Sequence, residues 1–187
     1  VGAAALAALV TLTCQRNSVF RSAETIWADT VKKRPLNARA RVMWSEALKA
    51  AGKLDAAIEA LSEGLALEES PQNANNLAIA LFQAGRVPEA IDRFKQALRL
   101  KPDYAEAYGN FGRVLFQTGD LAGALENLSN AIKHGREDAD LHNLAGMCLV
   151  RLGRTAEARA HFERALQLNP QHADAKANLD WVRAQAK

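Results

Sequence analysis

One pattern recurs along this chain every 33 or 34 residues, and it restricts the possible folds more than any other feature. Gly52, Gly85, Gly119 and Gly153 are spaced by 33, 34 and 34 residues. Five residues after each glycine stands an alanine (Ala57, Ala90, Ala124, Ala158), and four further on a large apolar residue (Leu61, Phe94, Leu128, Phe162). Three more steps reach a small residue again (Gly64, Ala97, Ala131, Ala165). Pro102 and Pro170 follow five later in two copies, and Glu69 and Arg136 stand where that proline is missing. A fixed period of this length marks stacked supersecondary units, none of which buries its apolar face alone. The single shortening, around 68–71, falls in a turn, where a one-residue change is tolerated.

Each unit reads as two helices. Leu77, Ala78, Leu81 and Ala84 recur at helical spacing before Gly85, and Ala90, Ile91, Phe94, Ala97 and Leu98 do so after it. Gly85 suits the turn because glycine accepts a positive φ where the first helix ends. Pro88 suits the first turn of the next helix, where its missing N–H has no intrahelical partner anyway. Pro102 and Pro170 then stop the second helices. The small residues let antiparallel helices approach closely, and the large ones fill the space between adjacent pairs.

The glycine, alanine, large apolar and proline rhythm, with "NLAIALFQAGR" at 76–86 and "NFGRVLFQTGD" at 110–120, resembles the tetratricopeptide repeat. The resemblance covers four repeats from about Asn37 to Pro170 and implies an all-α solenoid, a superhelix of antiparallel helix pairs. The implied divisions are repeats at 37–70, 71–104, 105–138 and 139–172. Before them a partial repeat at 15–36 carries Ala23, Trp27, Thr30 and Pro35. After them 173–187 forms a capping helix, with Leu179 and Val182 apolar and Lys176, Asp180 and Arg183 charged.

A narrower resemblance lies at the N-terminal junction. The segment "TCQRNSVFRSAETIWADTVKKRPLNARA", 13–40, is similar to the junction in multi-spanning membrane glycosyltransferases of the repeat-containing, protein O-mannosyltransferase-like group. The carried residues are Arg16, Asn17, Trp27 and Pro35, while Phe20 stands where a tryptophan is expected. This resemblance implies a non-catalytic C-terminal region of a larger enzyme, positioning an acceptor protein.

Val1 to Cys14 contains no charged residue. At about 1.5 Å per helical residue such a run reaches roughly 21 Å, short of the roughly 30 Å hydrocarbon core, so it does not span a bilayer by itself. Three readings stay open: the end of a truncated membrane helix, a buried or partner-covered helix, and a signal-peptide core, which normally begins with a basic residue. Self-association through Leu6 to Leu12 is a further expectation. From Gln15 to Lys53 nine basic residues face three acidic ones. Arg16, Arg21, Lys32, Lys33 and Arg34 argue for a cytoplasmic side, whereas the glycosyltransferase resemblance implies a membrane-associated chain with periplasmic or lumenal repeats.

No catalytic constellation is visible. His134, His142, His161 and His172 show no HxxxH or HExxH spacing, and there is no phosphate loop or GxSxG elbow. Neither a metal nor a cofactor is expected. The two cysteines, Cys14 and Cys148, are too far apart in sequence to suggest a disulfide framework or zinc ribbon, and each reads as structural. His142 reads as an ordinary half-exposed histidine, and Asp138 and Asp140 as favourable charges at a helix start. The net charge of +3 is too balanced to suggest nucleic acid as a partner.

The expected function is therefore that of an interaction scaffold, not an enzyme. In the tetratricopeptide family the first helix of each pair lines the concave face. The resemblance thus implies that one side of 39–50, 72–83, 106–117 and 140–151 faces a protein or peptide ligand. Helical spacing selects Asn75, Asn76, Ile79, Phe82 and Gln83, then Asn110, Arg113, Phe116 and Gln117, then Asn143, Met147 and Arg151. Asparagine amides can clamp an extended backbone, and aromatic and methionine surfaces form adaptable pockets. The plainer alternative is that the phenylalanines pack between repeats and the asparagines cap neighbouring backbone. A lysine- and arginine-rich carboxylate clamp is missing, since Val42, Asn75 and Gly109 stand at the equivalent positions. Asn76 and Asn110 resemble instead the asparagine-lined interior of O-linked sugar transferases, with Met43 and Leu144 interrupting the ladder.

Overall fold

The computed structural model describes residues 22–185. The apolar segment 1–14, Cys14, Arg16, Asn17, Phe20 and the Leu6 to Leu12 surface lie outside the described residues. The described chain is all helix and turn: α1 (Ala23–Lys33), α2 (Ala38–Ala50), α3 (Leu54–Leu67), α4 (Pro71–Gln83), α5 (Val87–Leu100), α6 (Ala105–Thr118), α7 (Leu121–Lys133), α8 (Ala139–Arg151), α9 (Thr155–Leu168) and α10 (Ala173–Gln185). It forms two compact units, Val1–Ala90 and Ile91–Lys187, with the division falling inside α5.

The helix ends follow from the local chemistry. Asn37, Ser70, Asp120 and Asp138 each accept a hydrogen bond from a backbone N–H three residues on, satisfying one orphan donor of α2, α4, α7 and α8. Gly52, Gly85, Gly119 and Gly153 adopt φ of 74°, 76°, 91° and 76°, the left-handed region that reverses the chain into the second helix of each pair. The second helices α5 and α9 end two residues before Pro102 and Pro170.

In the first unit α2 packs against α1 on one side and α3 on the other, and α3 then contacts α4. Leu48, Ala57 and Ala60 form a core there, with the Trp44 side chain against it. In the second unit α6 packs on α7, α7 on α8, α8 on α9, and α10 covers α9 and touches α8. Phe94 and Phe111 stack with ring centroids 5.3 Å apart. Ala124, Leu128, Ala158, Phe162 and Ala165, residues of the repeating pattern, are 0–1 % exposed. A methyl group added at Gly146 would lie 2.5 Å from the Phe162 ring, so α8 and α9 approach as closely as they do only because position 146 has no side chain. Among the described residues no helix is long and apolar enough to cross a membrane.

Candidate functional site: the first helices of the pairs

The side chains selected from the sequence are treated unit by unit. On α4, Asn75 is buried at 1 % exposure and makes an interaction within the chain. Asn76, Ile79 and Phe82 are half-buried and Gln83 is exposed. In the second unit, Arg113, Gln117 and Arg151 are exposed, Asn110, Phe116 and Met147 half-buried, and Asn143 buried.

Side chains on successive first helices of the second unit touch one another. The Arg151 guanidinium of α8 sits 5.2 Å from the centre of the Phe116 ring of α6, a cation–π contact that also orients the charge. Asn178 of α10 donates from Nδ2 to Oδ1 of Asn143 on α8 at 2.9 Å, and Asn143 in turn points its Nδ2 at the Met147 sulfur, 3.8 Å away. A pocket of about 280 Å³ opens between α8 and α10, lined by Met147, Val150, Arg151, Phe162, Asn178 and Trp181. Phe116 with Arg151, and Met147 with Arg151, are thus brought together.

Asn110 has a partner within the chain. Arg136, which occupies the position of the missing repeat proline, reaches back to α6 and donates to the Glu106 carbonyl and to Asn110 Oδ1 at 3.3 and 3.4 Å. Gly109 makes room for it, because a Cβ there would stand 2.6 Å from the Arg136 guanidinium. Arg136 also pairs with Asp138 at 3.2 Å. The arginine therefore holds the start of α8 to α6 with polar contacts.

One expectation is corrected. His142 is buried, 7 % exposed, not half-exposed. Its Nδ1 lies 3.1 Å from Nδ1 of His161 on α9, and its Nε2 3.3 Å from the Glu137 carboxylate. The carboxylate accepts only, so the Glu137 contact is donated by Nε2, and the two Nδ1 atoms share one contact between the imidazoles. The second half of this pair, His161, is 19 residues away and invisible to helical spacing. Burial, and next the neighbouring His142, hold the His161 imidazole below the usual histidine range, against the opposing pull of Glu157. Cys148 is buried, and burial pushes its thiol up to about 11, the state of an inert structural cysteine. Among the described residues no group of three or more histidine, cysteine or carboxylate side chains is placed to hold a metal ion.

Two pocket residues, Asn178 and Trp181, are not among those that helical spacing selects. The signal was present: Asn178 lies two periods of 34 after Asn110, and Trp181 one period after Met147. The charged residues of the same helix make the segment read as a solvating cap.

A family model for the tetratricopeptide repeat matches residues 15–74 and 110–173, and a second model for the same repeat matches 79–119. This chain belongs to the tetratricopeptide repeat family. Its fold, an all-α solenoid of helix pairs, is shared with solved repeat proteins. YrrB, described as a repeat protein with an unusual peptide-binding site, is 22% identical over 86% of this chain and 83% of its own, with a TM-score of 0.72. MamA of Desulfovibrio magneticus is 20% identical over 80% of this chain and 85% of its own, with a TM-score of 0.74. The first repeat domain of Spaghetti (RPAP3), solved with an HSP90 peptide, is 22% identical over 64% of this chain and 95% of its own, with a TM-score of 0.60. No curated protein matches the chain. At these identities the likeness to the solved repeat proteins speaks for the fold alone.

Proposed function

We propose that this tetratricopeptide repeat chain is an interaction scaffold that binds a segment of another protein along the first helices of its pairs. The repeats 37–70, 71–104, 105–138 and 139–172 act as its binding units and 173–187 as their cap. The observation that carries the reading is the strip on α6, α8 and α10, where Phe116, Arg151, Met147, Asn143, Asn178 and Trp181 join one helix to the next through side chains with polar or aromatic surface. A row of amides, guanidinium groups and apolar surface suits an extended chain, whose backbone needs partners every residue and whose side chains need pockets at intervals. YrrB and the RPAP3 domain, by their descriptions, bind peptides, which is in keeping with this use of the fold. On α4, in the first unit, Asn76, Ile79, Phe82 and Gln83 beside the buried Asn75 form that unit's own binding face, and on α6 Asn110, Arg113 and Gln117 belong to the face of the second.

A crosslinking pulldown comparing the native chain with Asn76→Ala plus Asn110→Ala tests the asparagine contribution. Loss of most of the captured partner is expected; undiminished capture would remove the asparagines from the binding strip. Within this reading, the similarity of 13–40 to the glycosyltransferase junction supports a finer version in which the bound segment is the acceptor of a membrane-embedded transferase. The residues encoded upstream of Val1 decide it: several long apolar spans with an acidic loop are expected, and a hydrophilic domain there would exclude it.

A further inference from the structure

Helix α10 treats its two faces in opposite ways. Laid on the 34-residue period, Lys176, Asp180 and Arg183 occupy the places that His142, Gly146 and Leu149 hold in α8, on the side where α9 packs. That face has become charged and solvated, as a capping helix requires. The other face keeps a large aromatic residue. Trp181 takes the place of Met147 and remains 49 % exposed, although a half-exposed indole leaves a large apolar area in water. Beside it lies the pocket of about 280 Å³, floored by Phe162 and walled by Met147 and Val150. Sites for drug-sized molecules start at roughly 300 Å³, so this one suits a single side chain.

The charged side chain that lines it, Arg151, is basic. Elsewhere in the second unit Arg136, Arg154, Arg159, Arg164 and Arg183 each hold a carboxylate within 3.3 Å, whereas Arg93 on α5 instead bonds Gln96. Arg151 at the pocket rim and Arg113, one period before Met147, are exposed and have no carboxylate in ion-pair reach among the described residues. A guanidinium held over an aromatic ring, as Arg151 is over Phe116, is oriented in advance and loses little freedom on meeting an anion.

Resting on the peptide-binding reading above, we infer that α8 and α10 form a specificity pocket for one bulky apolar side chain of an extended acidic segment of a partner protein. The side chain enters against Trp181, Met147 and Val150. The Asn178 amide, fixed by Asn143, meets the peptide backbone. Carboxylates flanking the anchor pair with Arg151 and Arg113.

Fluorescence anisotropy on the full chain tests this with three fluorescein-labelled nonapeptides: one of glutamate and serine with a central leucine, one with serine in place of that leucine, and one with lysines in place of the glutamates. The leucine-bearing acidic peptide is expected to bind at least about tenfold tighter than either control, the size of effect a buried anchor gives. Trp181→Ala is expected to erase the leucine preference and Trp181→Phe to keep part of it. Arg151→Glu is expected to erase the acidic preference, all with unchanged far-UV circular dichroism. Equal affinities for the three peptides, or a leucine preference that survives Trp181→Ala, overturn the pocket. So does a concentration-dependent dimer that Trp181→Ala dissolves, because the occupant is then a second copy. Absence of binding by all three peptides also overturns the pocket, while partner capture that depends on Asn76 and Asn110 would keep the broader reading standing.

Discussion

At the scale of single residues, the buried His161 beside His142 gives the second unit an expected pH dependence. The fold favours neutral His161, so the unfolded chain takes up a proton that the folded chain resists. Stability from this group is complete above the ordinary histidine value of roughly 6.5 and declines as pH falls from there through the lowered folded value. The facing charges are Glu137, bonded to His142 and Arg164, and Glu157 on α9. Glu137, Glu157 and Glu163 are held below the ordinary carboxylate range, chiefly by hydrogen bonds from Arg164, Arg154 and Arg159 respectively. They contribute no slope at mildly acidic pH. The denaturation midpoint of the native chain is expected to drop between pH 7.5 and 5.5, and His161→Gln to flatten that drop; parallel profiles would remove the pair as the cause. Cys148 is expected to stay unmodified by a thiol reagent at pH 8 in the folded chain and to react once denaturant is added. Rapid modification of the native chain would contradict its burial.

Between elements, the close approach of paired helices depends on positions where a side chain is missing. Gly146→Ala drives a methyl group into the Phe162 ring and is expected to destabilise the chain by about 1–3 kcal/mol in chemical denaturation, the usual cost of overpacking a filled interior. A change under about 0.5 kcal/mol would show that α8 and α9 relax apart freely. The pairing itself was legible in the sequence: the turn glycines, the first-turn Pro88 and the stops at Pro102 and Pro170 place the inner-pair boundaries near where α4, α5 and α9 begin and end. What the period could not reveal were contacts that join residues out of step with it. His161 meets His142 across 19 positions, and Arg136 reaches α6 because Gly109 leaves space, both set by the helix-to-helix distance and not by any helical repeat. Asn178 and Trp181 obey the period but were masked by the charged face that shares their helix.

For the molecule as a whole, stability is distributed. The alanine and large apolar positions that follow each turn glycine are buried, and the cap closes α9 with Leu179 and Val182 while its solvent face carries charge. An array built in this way folds as coupled neighbours, and a local defect spreads to adjacent pairs. In the proposed reading the working surface of each unit is one side of its first helices, and the second helices supply support. Photocrosslinking tests that division most directly. A benzophenone side chain is introduced at Gln117 or Met147 on first helices, and at Ser129 or Arg159 on second helices, and each protein is irradiated in an extract of the source cells. The same partner is expected to be captured from Gln117 and Met147 and not from Ser129 or Arg159; capture through Ser129 or Arg159 with silence at Gln117 and Met147 would contradict the account.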